Sequence, residues 1–518
     1  MRLPLRTVLV LLGSVSFVLA ANADDFPSDS AQMSQHLDKL LAQRWKEENV
    51  APAQPATDAE FMRRVYLDLT GVTPSVFEAR EFLADKDPAK RRKLVDRLLS
   101  SPAYATHMAT TWRTRMLPAG FDPGQLQTAV GLQNWLREQF VENLRYDNLV
   151  AEFLVASGTG TRGPGVYYTA LELKPEKLAA STARIFLGLQ IQCAQCHDHP
   201  FDHWTQRDFW GYAAFFARLQ QPEQPNLPQQ DLVELAAGEV TLPESEEVIA
   251  PKYPSGRVAE TRRDSRRVQL SIWMASRDNP YLARAAVNWA WAHMFGRGIV
   301  NPVDDLGAHN PPSHPQLLDD LGLYFTRHGF DLKELLRVIA MTEAYQLSSV
   351  ANDTEPPPEF FARMAVKTLT PAQLYDSLGR TLVRREPPAS PFGQQQRSIL
   401  FDQRRRSFIS RMSTESRDVT EYEQGLPQAL MLMNGPVITE ATNSDQSALL
   451  ASLEAPFFSD KQRLEVLFLA TLSRLPTEPE QQKFLTYLKD GGPTKDSKRA
   501  ASDVLWALLN SGEFAVNH

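Results

Sequence analysis

The residues that could do chemistry are concentrated in one stretch, Gln192-Cys-Ala-Gln-Cys-His-Asp-His-Pro-Phe-Asp-His203. The chain has two cysteines and ten histidines. Both cysteines, Cys193 and Cys196, lie here, and so do His197, His199 and His203. Cys-Ala-Gln-Cys-His is the attachment signature of a c-type haem: two thiols three residues apart reach one porphyrin edge, and the adjacent imidazole binds iron. Cofactor-binding residues on this reading are Cys193, Cys196 and His197, with His197 the iron ligand. The same stretch supports a rival. Cys193, Cys196, His199 and His203 have a compact Cys-x2-Cys-x2-His-x3-His spacing that suits zinc or another transition metal. Pro200 breaks any helix between the two histidines, so that site would be borne on a loop. A third reading is a local disulfide between the two cysteines in a structural or binding protein. A second, weaker cluster is Asp304, Asp305, His309 and His314, where carboxylates and imidazoles could bind metal or act as acid and base. Met274, His309 and His314 are candidates for a second axial ligand, none of them singled out by spacing.

The elements that must position these residues read as helices. Phe209, Trp210, Tyr212, Phe215 and Phe216 follow the histidines at helical spacing, as a dry wall for a macrocycle or as ordinary core. Thr57-Asp-Ala-Glu60 is a capping box and Gly71 a helix stop. Asp87-Pro88, Ser101-Pro102, Asn279-Pro280 and Thr370-Pro371 place a capping residue before a proline at the first helical position. Helices are predicted at 31–48, 75–84, 88–100, 102–117, 130–143, 146–156, 175–192 and through about 218. They resume at 279–295, 331–345, 358–366, 371–385, 426–434, 460–473, 478–489 and 496–511. Gly158–Gly165 is glycine-rich but lacks the Lys-Ser/Thr ending of a phosphate loop and reads as a connecting loop. Residues 219–262 are rich in Pro, Gln and Glu, with short strands predicted near 231–240 and 246–250. The cluster Arg262, Arg263, Arg266 and Arg267 reads as a solvated face or an interdomain ion-pair patch. Residues 386–424 read as irregular and Arg-rich.

The predicted fold class is therefore mainly α, with two helical domains joined by an irregular segment carrying a few short strands. The divisions are 1–23, 24–218, 219–262 and 263–518. Residues 1–23 read as a cleaved export signal: Arg2 and Arg6, an apolar run from Val8 to Ala20, then Ala21-Asn-Ala23. That predicts an exported protein, periplasmic or extracellular, with no span in the mature chain. A net charge of −7 over 518 residues gives no basic footprint for nucleic acid.

Phe186-Leu-Gly-Leu-Gln-Ile-Gln-Cys-Ala-Gln-Cys-His-Asp-His-Pro-Phe-Asp202 resembles the core motif of a planctomycete-type family of secreted proteins. In that family a cytochrome c-like domain of unknown function precedes a second, planctomycete-specific secreted domain. Arg64-Val-Tyr-Leu-Asp-Leu-Thr-Gly71 resembles the first domain's opening signature. Asn279-Pro-Tyr-Leu-Ala-Arg284, Phe295-Gly-Arg-Gly-Ile-Val300, Ser313-His-Pro-Gln-Leu-Leu-Asp319, Pro427-Gln-Ala-Leu430 and Glu513-Phe-Ala-Val-Asn-His518 resemble the second. The resemblance implies haem c, carried by Cys193, Cys196 and His197, and a redox partner protein to take electrons onward. It also implies a setting of polysaccharide breakdown. The expectation is an exported c-type haem electron-transfer protein. The alternatives are a non-haem metalloprotein hydrolytic on glycans, or the disulfide-bearing binding protein.

Overall fold

A computed structural model describes residues 26–117, 126–156, 163–220, 232–260, 265–352, 355–381, 403–413 and 426–518. The export signal at 1–23, residues 158–162 of the glycine-rich loop, Arg262, Arg263 and most of 386–424 lie outside them. The fold is mainly α, and its strands are two-residue pairs.

Local sequence accounts for the helix starts. Thr57 Oγ1 accepts from Glu60 N–H at 3.2 Å, opening Asp58–Thr70, and Gly71 closes it in the left-handed region at φ +72°. Ser75 with Glu78 and Thr205 with Asp208 complete reciprocal capping boxes. Pro102, Pro175 and Pro315 stand at the first helical turn, where no backbone donor is needed.

Three readings differ, the first being 386–424, read as irregular, where Gln403–Met412 is a helix. The helix expected over 175–192 is regular only for Pro175–Thr182; it then loosens into a π turn, Ala183–Leu187, and stops at Gly188. The helix expected over 358–366 is one 3-10 turn, Pro358–Phe360, ended by Phe361 at φ +52°. Phe361 is drawn instead into an aromatic group with Trp291 and Phe295, with ring centroids 5.3 and 5.4 Å away.

The two halves pack against each other. The larger core runs from Met33 through Met364 with Leu469, so helices from both sides of the 219–262 segment share it. The smaller core joins residues from Leu369 to Phe514 and takes in Leu67. Within 219–262, Leu219–Gln220 pairs antiparallel with Val233–Glu234, and Val240–Thr241 with Val248–Ile249. Arg266 and Arg267 are buried, not solvated. Arg266 Nη2 donates to Glu239 at 2.6 Å, and Arg267 Nε to Glu234 at 3.3 Å. The arginines thus tie the connecting segment to the helix Arg266–Met274.

The helix Asp58–Thr70 is the pivot, buried without a break from Phe61 to Thr70. Its Asp68 carboxylate accepts from Lys367 Nζ at 2.6 Å, Tyr345 Oη–H at 2.7 Å and Asn517 Nδ2 at 2.7 Å. Arg63 donates to the carbonyls of Thr471, Glu513, Phe514 and Val516.

Beside this network His107 and His293 lie with ring centroids 5.7 Å apart. Burial, reinforced by His293 and Lys367 and opposed by the Asp68 backbone, pulls the His107 pKa down from the usual 6.5 to about 3. Burial also lowers that of His293. A histidine whose folded pKa is depressed stabilises the fold fully above its unfolded pKa. That stability is lost as pH falls from about 6.5 toward the folded value. The chain is therefore expected to lose stability between pH 6.5 and 4, by up to about 1.4 kcal/mol per pH unit for each such histidine. Thermal melts of the parent and His107→Gln across this range check it; the variant's slope should be shallower, and equal slopes would refute the assignment.

Candidate functional site

The cysteine stretch is built from three local devices. Gly188, at φ +66°, turns the chain out of the π turn, and its carbonyl accepts from Leu306 N–H at 2.7 Å. A side chain at 188 would meet Leu306 Cδ1 at 2.2 Å, so the loop after 299 seats directly on this glycine. Gln192–Gln195 then forms a 3-10 turn capped by Cys196. Three residues per turn eclipse positions i and i+3, so Cys193 and Cys196 stand on one face. Ala194, fully buried, anchors the opposite face. Trp210 Nε1–H donates to Gln195 O at 3.0 Å, and Gln206 Nε2 donates to Cys196 O at 3.0 Å. The helix Gln206–Ala213 thus holds the turn through its otherwise free carbonyls.

Both thiols are free and exposed. The pair is presented outward and unbonded. His197 is exposed, and its Nδ1 lies 2.8 Å from Asp198 O. A carbonyl only accepts, so Nδ1 donates to it, and in the neutral ring Nε2 keeps its lone pair for a ligand. Asp198 is fixed in turn: its Oδ1 accepts from Gln206 N–H at 2.8 Å.

The aromatic helix does not face this turn as a wall. Phe209, Tyr212, Phe215 and Phe216 are buried in the larger core. Tyr212 pairs with Thr182 at 3.2 Å, and Phe215 packs on Tyr253 with ring centroids 4.9 Å apart. The stripe is packing, and of its aromatics Trp210 hydrogen-bonds the cysteine turn.

The other histidines have local partners of their own. His199 Nδ1 accepts from Phe201 N–H at 3.3 Å, and His203 Nδ1 bonds Asp202 Oδ1 at 2.6 Å. Among the described residues no group of three or more His, Cys, Asp or Glu side chains is arranged to hold one metal ion. The second predicted cluster divides. Asp304 accepts from Gln190 Nε2 at 3.0 Å and pairs with Arg184 at 3.4 Å. Asp305 pairs with His309 at 3.1 Å. His314 goes elsewhere, buried against Phe361, and burial with Arg44 nearby pulls its pKa down to about 4. Met274 is likewise buried, its sulfur accepting from Asn279 Nδ2 at 3.4 Å.

What the sequence did not single out is Asp202. Its side chain is only 3% exposed, and its Oδ2 faces His309 Nδ1 at 3.7 Å. Burial alone would push this carboxyl up, but the His203 backbone and ring, with His309, hold it below the usual carboxylate range. The glycine at 307, between Asp305 and His309, was the available signal. A Cβ there would lie 2.6 Å from Asp202 Oδ2 and 2.7 Å from His309 Nδ1.

Two family models match in this order. PSCyt2, a protein of unknown function (DUF1549), covers residues 36–221. PSD1, also a protein of unknown function (DUF1553), covers residues 266–488. The chain belongs to the family that joins these two domains. Neither a curated protein nor a solved structure matches it. The cysteine stretch and Asp202 fall in the PSCyt2 part, and Asp305 and His309 in the PSD1 part. The contacts Leu306–Gly188 and His309–Asp202 therefore bring the two parts of this PSCyt2–PSD1 chain together at the candidate site.

Proposed function

We propose that the chain is an exported c-type haem protein that transfers electrons, with Cys193 and Cys196 as thioether anchors and His197 as an axial ligand. The carrying observation is the cysteine turn: two free, exposed thiols on one face, followed by an imidazole whose Nδ1 donates to a backbone carbonyl. These donors fit covalent attachment and one axial bond. When bound, haem iron supplies one-electron chemistry. The chain's own contribution is to hold the turn through Trp210 and Gln206 and to orient His197 through the Asp198 carbonyl. Met274 and His314 are buried in the core, so neither would serve as a further iron ligand. The exposed ring of Phe201 near the turn offers an apolar contact for a redox partner protein.

Export rests on the leader at 1–23, and among the described residues no helix is long and apolar enough to cross a membrane. A link to polysaccharide breakdown rests on the family resemblance alone.

The test is production of the whole chain in a host with haem c maturation. One haem per chain should survive denaturing electrophoresis. Cys193→Ala with Cys196→Ala should abolish it, whereas His197→Ala should keep the covalent band and shift the Soret spectrum. A parent chain that emerges with unmodified thiols would overturn the reading.

A further inference from the structure

The seam between the PSCyt2 and PSD1 parts holds a second group of ligand atoms that haem attachment does not use. The His309 ring has a carboxylate at each nitrogen: Asp305 Oδ2 lies 3.1 Å from Nε2, and Asp202 Oδ2 lies 3.7 Å from Nδ1. The first contact is a hydrogen bond; the second is too long for one. A carboxylate only accepts, so in the neutral ring the proton sits on Nε2, toward Asp305. The Nδ1 lone pair then lies 3.7 Å from a carboxylate oxygen, an approach that a cation between them would relieve.

Asp202 is prepared for that cation. Its Oδ1 is already occupied, accepting from His203 N–H at 2.7 Å and bonding His203 Nδ1 at 2.6 Å. Among the described residues its Oδ2 has no partner closer than His309, while the side chain is almost wholly withdrawn from water. The gap stays open because residue 307 is glycine; any Cβ would intrude within 2.7 Å of both ligand atoms. Two ligands of one tetrahedral ion, each bound at about 2.1 Å, stand about 3.4 Å apart. The observed 3.7 Å is close to that span. Asp305 plays the supporting part typical of metal sites, taking the far ring proton and making the near nitrogen more basic.

We propose that Asp202 Oδ2 and His309 Nδ1 bind one divalent transition-metal ion of the zinc class across the seam, with Asp305 orienting the imidazole. One imidazole with one carboxylate favours zinc, cobalt, nickel or copper over magnesium and calcium. No third side chain among the described residues converges there, so water completes the shell and the ion keeps exchangeable positions. His199 stacks beside His309 with ring centroids 6.0 Å apart, but its Nδ1 is taken by Phe201 N–H, so it covers the site and does not ligate it.

The experiment uses the whole chain carrying Cys193→Ser and Cys196→Ser, so that neither thiol ligation nor haem contributes. Zinc chloride is titrated calorimetrically, and cobalt(II) absorption reports the ligand set. One zinc per chain is expected. Asp202→Asn and His309→Gln should each weaken it about 100-fold, and Asp305→Asn about 10-fold to 100-fold, with unchanged circular dichroism. A protonated His309 bridging the two carboxylates without metal is the competing account. No zinc binding by the thiol-free chain, or equal affinity in Asp202→Asn and His309→Gln, would overturn the proposal in its favour. Haem attachment is measured separately on the parent chain, so either reading can fail alone.

Discussion

Lys367→Ala is expected to lower the unfolding free energy by about 3–5 kcal/mol, the cost typical of removing one partner from a buried ion pair. The ammonium and the Asp68 carboxylate are 6% and 4% exposed and 2.6 Å apart. Lys367 Nζ also donates to Met294 O at 2.7 Å and His293 O at 3.2 Å. Those are last-turn carbonyls of the helix Leu282–Phe295, which would otherwise end without partners. Burial pulls the lysine pKa down, and Asp68 opposes that pull, so the pair holds its charge only as a pair. Removing the lysine leaves a buried carboxylate with two neutral donors, Tyr345 and Asn517. Urea unfolding of Lys367→Ala, Asp68→Asn and the double variant measures the coupling. The double variant should recover part of the loss, because the uncompensated charge is gone. A single-variant loss below about 1 kcal/mol, the level of an exposed pair, would show that the network carries little of the fold.

The legible parts of this fold were those specified over a few consecutive residues. Thr57 with Gly71 bounds its helix from the sequence alone, because both ends are set by side chains or backbone conformations within four residues. The cysteine stretch stood out for the same reason: its candidate ligand atoms are contiguous. The π turn after Thr182 was hidden, since Ala183–Leu187 keeps an apolar helical pattern while its geometry answers to Gly188 and the docking of Leu306. The aromatic stripe at 209–216 reads the same whether it lines a cofactor or a core, and only tertiary packing decides. Asp202 and His309 are far apart in sequence and became a pair only through the fold. Arg63, Arg64 and Lys367 look like surface charges in a sequence. Their burial depends on backbone carbonyls and a carboxylate hundreds of positions away.

That distance dependence makes the segment 513–518 decisive. A chain ending at Gly512 is expected to fail to fold, although the PSD1 match itself stops at residue 488. The removed residues supply Val516–Asn517, which pairs antiparallel with Lys367–Thr368. They also supply three of the four carbonyls that satisfy the buried Arg63 guanidinium, from Glu513, Phe514 and Val516. Arg64 Nε loses His518 O at 3.3 Å, Asp68 loses Asn517, and the smaller core loses Phe514. Each hydrogen bond to a charged group contributes about 1.5–3 kcal/mol. Losing several of them leaves two arginines buried and underpartnered, at a cost comparable to the whole stability of an ordinary domain, about 5–15 kcal/mol. Arg63→Met, which keeps the volume and removes the charge, should be milder, because the carbonyls it leaves are neutral. Soluble yield, far-ultraviolet circular dichroism and a thermal melt distinguish the outcomes. A truncated chain melting within about 2 °C of the parent, roughly a 2 kcal/mol change at about 2.1 cal/mol/K per residue, would mean that the arginines find other acceptors and that the first domain's pivot helix does not depend on this segment.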